Sequence, residues 1–291
     1  KLQLLSELYR QEADWLVQDD APRRVEMATR FRDAAAWIGL QCLTEGGTRR
    51  GYEEWLEKHL KKPARVQIVT LTNAHGSISV VPGIGGRVWK ASTADGREFL
   101  WQNAAADGGL IIKGDGYEEY STVKYQSPGW LESYEIKERG GDFVSMAAKL
   151  SNGITLERRV QLLPDAPGFM VTTKASGNEA VTMRIHPAFA APSLEKTSLR
   201  LKNADGSWRE IPVNGRMDRY FRDDQMPNGA WAFWDANAKL GVVNQFSQDQ
   251  VDACYVNASP DQKRINLEQW TKPMQKNAVI ENVYRLIDSL D

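Results

Sequence analysis

The chain has 291 residues, 42% of them hydrophobic and 26% charged, which is enough apolar material for a buried core and too much for wholesale disorder. With 37 basic against 38 acidic side chains the formal charge is −1, so no long-range field steers the protein toward phosphate backbones or anionic lipid. No stretch approaches the ~20 apolar residues that cross a bilayer, so neither nucleic acid nor membrane is an expected partner.

Residues 1–62 read as a small helical segment. Leu4, Leu5, Leu8 and Trp15 fall at three- and four-residue spacings, and Val25, Ala28, Phe31, Ala35, Ile38 and Cys42 repeat the pattern beyond Pro22. A third helix is predicted over Tyr52 to Lys61, stopped by Pro63. Its apolar stripes need a partner surface, so this segment reads as a docking or linking layer. The opening residue is Lys1 rather than Met, which fits a processed chain or a piece of a longer one, and no signal-type opening reveals a compartment.

From Pro63 onward, residues 63–291, the pattern changes to short alternating runs bounded by Gly, Pro, Asn and Asp. Strands are predicted over Val66 to Leu71, Ser77 to Val81, Arg87 to Ala91, Glu98 to Gln102, Ser133 to Glu138, Phe143 to Leu150, Thr155 to Leu163 and Phe169 to Ala175. Others follow over Val181 to His186, Ser198 to Leu201, Ala230 to Trp234, Leu240 to Phe246, Ala253 to Asn257, Arg264 to Trp270 and Ile280 to Leu286. So many short strands with no helix between them argue for an antiparallel β-sandwich, and the turn dipeptides Asp95-Gly96 and Asn152-Gly153 support hairpins. The glycine-rich run from Gly83 to Gly86 lies between two strands and reads as a tight turn needing positive φ. Arg216 to Asp224, rich in charge and aromatics, reads as an exposed rim.

P-loop, serine-elbow, zinc-protease and paired-cysteine motifs are absent. Three histidines supply a metal site thinly, and no cofactor is implied. The two cysteines, Cys42 and Cys254, neither require nor exclude a single bridge, and two buried thiols is the favoured reading. Ten tryptophans are an unusual supply of flat rings able to pack a core or stack on a sugar, with Trp130, Trp231, Trp234 and Trp270 as candidates.

The run from Leu71 to Trp89, LTNAHGSISVVPGIGGRVW, followed by GREFLWQN from Gly96 to Asn103, resembles the opening strands of galactose mutarotase-like, or aldose 1-epimerase-like, domains. LERRVQLLPD from Leu156, RIHPAF from Arg184 and INLEQW from Ile265 arrive in matching order. The resemblance implies an antiparallel β-supersandwich with a sugar site on one sheet face, a mono- or oligosaccharide as ligand, and His186 and Glu268 as the family's acid and base. The leading helices resemble the linking layer of some multidomain carbohydrate-active enzymes. That likeness implies an accessory domain of a glycan-processing protein such as a glycoside hydrolase, with an N-terminal catalytic domain in the same parent chain.

Where epimerases carry a further histidine, KGDGYEEY from Lys113 to Tyr120 has none. This departure weighs toward a carbohydrate-binding module, with an aldose 1-epimerase-like enzyme as the alternative. Tyr117, Glu118 and Glu119 are candidates for binding hydroxyls, as are Arg87, Asn103, Trp130 and Trp270. The ordinary roles weighed against these are a solvated strand glutamate for Glu268 and a hydrogen-bonded structural group for His186.

Overall fold

The computed structural model describes residues 67–102, 116–122, 128–130, 132–150, 153–177, 180–274 and 277–289. The expected helical segment, its boundary at residue 62, Cys42 and Asn103 lie outside them. Alternating apolar positions produce the strands: in Thr155–Leu162, Leu156, Val160 and Leu162 point inward while Glu157, Arg159 and Gln161 face outward.

Among the described residues seventeen strands follow one another: β1 (Val69–Asn73), β2 (Gly76–Val81), β3 (Arg87–Thr93), β4 (Tyr117–Thr122), β5 (Glu135–Arg139), β6 (Phe143–Lys149), β7 (Thr155–Leu162), β8 (Gly168–Ser176) and β9 (Thr182–Ala190). Then come β10 (Thr197–Lys202), β11 (Trp208–Pro212), β12 (Met217–Phe221), β13 (Ala230–Asp235), β14 (Leu240–Phe246), β15 (Val251–Ser259), β16 (Arg264–Thr271) and β17 (Val279–Ile287).

They form two antiparallel sheets, one of eight strands ordered β1-β2-β3-β4-β9-β16-β15-β12 and one of nine ordered β11-β10-β13-β14-β17-β8-β7-β6-β5. The inner faces enclose one hydrophobic core, in which Tyr284 of β17 contacts Phe169 of its own sheet and Tyr117 and Phe189 of the other. Each of these faces buries apolar side chains against the other, as the sequence leads one to expect of a sandwich.

Polar bridges also cross the core. Arg158 of β7 donates to the backbone carbonyls of Gly85, Gly86 and Glu119 and pairs with the Glu119 carboxylate at 3.4 Å. Gln269 of β16 donates to Asn244 Oδ1, which also accepts from Trp231 Nε1, and Asn244 donates to Asn282. Trp231, a candidate sugar platform, is therefore a core residue of the nine-stranded sheet.

Several expectations change. Glu98 to Gln102 is not a full strand but makes isolated bridges at Glu98 and Leu100. β4 begins in the KGDGYEEY stretch, where no strand was predicted, β12 lies in the stretch read as a rim, and β11 was not predicted. The turns behave as expected: Gly85 and Gly86 adopt positive φ between β2 and β3, and Gly96 does so at its hairpin. Cys254 is buried and free, and burial pushes its thiol pKa up.

Gly116 positions β4. At φ +66 its absent Cβ would stand 2.3 Å from the Val88 carbonyl oxygen of the neighbouring strand. Gly116→Ala is expected to cost about 2 kcal/mol or more, since the left-handed backbone alone penalises a side chain by roughly 1–2 kcal/mol. Urea unfolding checks this.

Candidate functional site

The site is built on the face of the eight-stranded sheet turned away from the core. In β9 this face carries Arg184 and His186, and in β16 it carries Asn266, Glu268 and Trp270, because Ile185, Ile265 and Leu267 between them point into the core. The register pairing Asn266 with Ala188 and Gln269 with Ile185 sets Glu268 opposite His186. On the other side of β9, Glu118 lies opposite His186 and Tyr120 opposite Arg184.

His186 was expected at a strand end before Pro187, yet both lie inside β9. A proline costs a central strand one ladder hydrogen bond. Here Asn266 Nδ2 donates to the Pro187 carbonyl at 3.0 Å and also lies 3.1 Å from His186 Nε2.

Glu268 is the hub. Its Oε2 accepts from Arg184 Nε at 2.7 Å and lies 2.5 Å from Nη2, while Oε1 lies 3.0 Å from His186 Nε2. Only 2% of the Glu268 side chain is exposed, against 13% of His186 and 28% of Arg184, so the cluster meets solvent through Arg184 and His186. Burial disfavours the Glu268 charge, but His186 and Arg184 outweigh it and hold the carboxyl below its ordinary value of 4.5.

That shift has a definite sign for stability. A carboxylate with a lowered folded-state pKa contributes stability that is present above 4.5 and lost as pH falls through the lower folded value. Replacing Glu268 by Gln is therefore expected to destabilise the protein near neutral pH and to flatten the fall in stability below pH 4.5, compared by urea unfolding at a series of pH values.

Aromatic rings frame the cluster. The Arg184 guanidinium lies 5.0 Å from the Trp270 ring centroid and 6.0 Å from that of Tyr120, and Tyr120 stacks on Trp130 at 4.8 Å. Trp130 Nε1 donates to Glu118, which pairs with Arg87 at 3.5 Å. Burial raises the Tyr120 hydroxyl pKa, so it stays a neutral donor. Three buried polar atoms of this face have no partner among the described residues: His186 Nδ1, Asn266 Oδ1 and Trp270 Nε1.

The predicted residues divide by strand alternation. Glu268, His186, Trp270, Glu118, Trp130 and Arg87 gather through the contacts above, whereas Tyr117 and Glu119 point between the sheets. Tyr117 donates to Glu119 at 2.7 Å and Thr173 does so at 3.0 Å, so these two are structural groups rather than hydroxyl binders. Sequence reasoning missed Arg184, Asn266 and Tyr120. Each lies two positions from an expected site residue in a strand, and period-two alternation puts it on the same face. Among the described residues no group of three or more His, Cys, Asp or Glu could hold a metal ion, and no helix is long and apolar enough to cross a membrane.

No family model matches the chain, and no curated protein matches it. Solved structures do. Slr1438 protein from Synechocystis sp. PCC 6803 superposes with a TM-score of 0.62 at 13% identity, over 79% of this chain and 98% of its own. A galactose mutarotase-like protein from Lactobacillus casei gives 0.54 at 9% identity, over 76% and 99%. A TPR-domain containing protein from Parabacteroides distasonis gives 0.57 at 12% identity, over 79% of this chain and 48% of that one. Mutarotase-related proteins from Lactobacillus acidophilus and Clostridium acetobutylicum also match. With its two antiparallel sheets and these neighbours, the protein has the galactose mutarotase-like fold.

Proposed function

We propose that this protein binds a carbohydrate on the outer face of the eight-stranded sheet, with Glu268, Arg184 and His186 holding sugar hydroxyls beside aromatic rings. One observation carries the reading: the Glu268 carboxylate near the centre of that face is hydrogen-bonded to Arg184 and lies 3.0 Å from His186 Nε2, beside three buried polar atoms that have no partner among the described residues. Buried polar atoms normally find partners, and sugar hydroxyls can both donate and accept. Arg184 also stabilises the Glu268 carboxylate, which favours a hydrogen-bond acceptor over a strong base. In the larger TPR-domain containing protein the matching region makes up about half of the chain, which supports reading this fold as a domain that can serve within a longer chain.

A second reading, an aldose 1-epimerase-like enzyme, is favoured by the 3.0 Å approach of His186 to Glu268. The anomeric hydroxyl and the ring oxygen share one carbon, so groups a single hydrogen bond apart can address both. Glu268 would take the anomeric proton while His186 protonates the ring oxygen, and the ring would open and reclose.

Calorimetric titration with glucose and galactose, paired with exchange NMR of their anomers, separates the readings. Uptake without faster anomer exchange supports the binding module, and acceleration supports the enzyme. If neither sugar nor any oligosaccharide is taken up, the carbohydrate reading is wrong.

A further inference from the structure

We infer that Tyr220 and Tyr255 form a second sugar-ring subsite beside the Glu268 cluster, and that the ligand is therefore an oligosaccharide rather than a single monosaccharide. This rests on the carbohydrate reading above and names its substrate class.

The strand register supplies the geometry. Tyr255 of β15 lies opposite Glu268, and Tyr220 of β12 lies opposite Tyr255. Directly opposed residues on neighbouring antiparallel strands share a sheet face. Glu118, His186, Glu268, Tyr255 and Tyr220 therefore form one row across the adjoining strands β4, β9, β16, β15 and β12. Neighbouring strands are about 4.8 Å apart, so the two tyrosines stand roughly 5 and 10 Å along the sheet from Glu268. That step is on the scale of the distance from one pyranose to the next in a glycan chain.

The chemistry of the pair fits a ring-sized ligand. The rings pack with centroids 4.4 Å apart, and Tyr220 is 48% exposed. Among the described residues the other exposed large hydrophobic side chains, Trp208 and Val279, belong to β11 and β17 of the other sheet, so Tyr220 stands alone on this one. Polar groups flank the rings as a sugar's alternating apolar faces and hydroxyl edges require. Arg222 lies 5.6 Å from the Tyr220 ring centroid, Asn257 Nδ2 lies 3.4 Å from the Tyr255 hydroxyl, and Arg264 donates to Asn257 Oδ1 at 3.4 Å. The row is continuous with the Glu268 cluster, so the occupant we assign is the adjoining ring of the same glycan.

The test is calorimetry on the full chain with glucose, galactose, maltose, maltotriose, cellobiose, cellotriose, β-1,4-galactobiose and β-1,4-galactotriose. A second ring on an aromatic pair is expected to tighten binding about three- to tenfold over the matching monosaccharide. Tyr220→Ala is expected to erase that gain and leave monosaccharide affinity unchanged, while Tyr220→Phe keeps it. The inference is overturned if di- and trisaccharides bind no tighter than their monosaccharides, or if Tyr220→Ala weakens mono- and oligosaccharides equally. Uptake of no sugar in the panel overturns the carbohydrate reading and this inference together, so the two failures are distinguishable.

Discussion

Arg158→Met is expected to lower the unfolding free energy by about 3–5 kcal/mol, the usual cost of removing one partner from a buried ion pair. In a domain of this size each kcal/mol moves the melting temperature by about 2–4 °C, so calorimetry should show a fall of order 10 °C. The reason is the number of groups that the guanidinium serves at once. It bonds the carbonyls of Gly85, Gly86 and Glu119, the Thr173 hydroxyl and the Glu119 carboxylate, all without solvent.

Methionine fills much of the volume but leaves the Glu119 carboxylate in the core with the Tyr117 and Thr173 hydroxyls as its remaining donors among the described residues. Adding Glu119→Gln removes that charge and should recover a large part of the loss, which a double-mutant cycle would measure. A loss below about 1 kcal/mol would show that the bridge between β4 and β7 is dispensable. Glu119 lies between Glu118 and Tyr120, so slackening here should also blur the outer side of β4.

Glu268→Gln is expected to weaken sugar binding by roughly 10- to 100-fold, because a hydrogen bond to a charged group contributes about 1.5–3 kcal/mol and each 1.4 kcal/mol is tenfold. The substitution keeps the shape and removes the charge that both Arg184 and His186 address. Arg184→Met separates two possibilities. If Glu268 acts as an acceptor, loss of Arg184 disorders it and binding falls. If Glu268 acts as a base, releasing it from the guanidinium raises its proton affinity, and anomer exchange in NMR should quicken at saturating sugar. Unchanged affinity in Glu268→Gln would remove this carboxylate from the site.

How much of this was legible in the sequence depends on where each residue finds its partners. β7 was readable because Leu156, Val160 and Leu162 alternate with Glu157, Arg159 and Gln161, a pattern complete within the strand itself. β4 was not, because Tyr117 through Ser121 are buried although two are glutamates. Their compensating cations are Arg87 and Arg158, 31 and 39 residues away, and no local pattern announces them. β12 was taken as a rim because it is an exposed edge strand whose only fully buried residue is Phe221. Glu268 and His186 were named from a resemblance, and the register sets them opposite each other. Arg184, two residues before His186, was within reach of simple alternation. Asn266 was harder to foresee, since it contacts the Pro187 carbonyl across the strand pair, 79 residues away in sequence.

The placement of β17 has a consequence for biosynthesis. It lies in the middle of its sheet, flanked by β14 and β8, with four strands on either side. A nascent chain that has not yet released residues 279–287 holds two separate ribbons, each ending in an unsatisfied edge of the kind that recruits foreign strands. Closure must wait for these residues to thread between β14 and β8 and deliver Tyr284 to the ring cluster, so translation-coupled folding of this sheet is a late event.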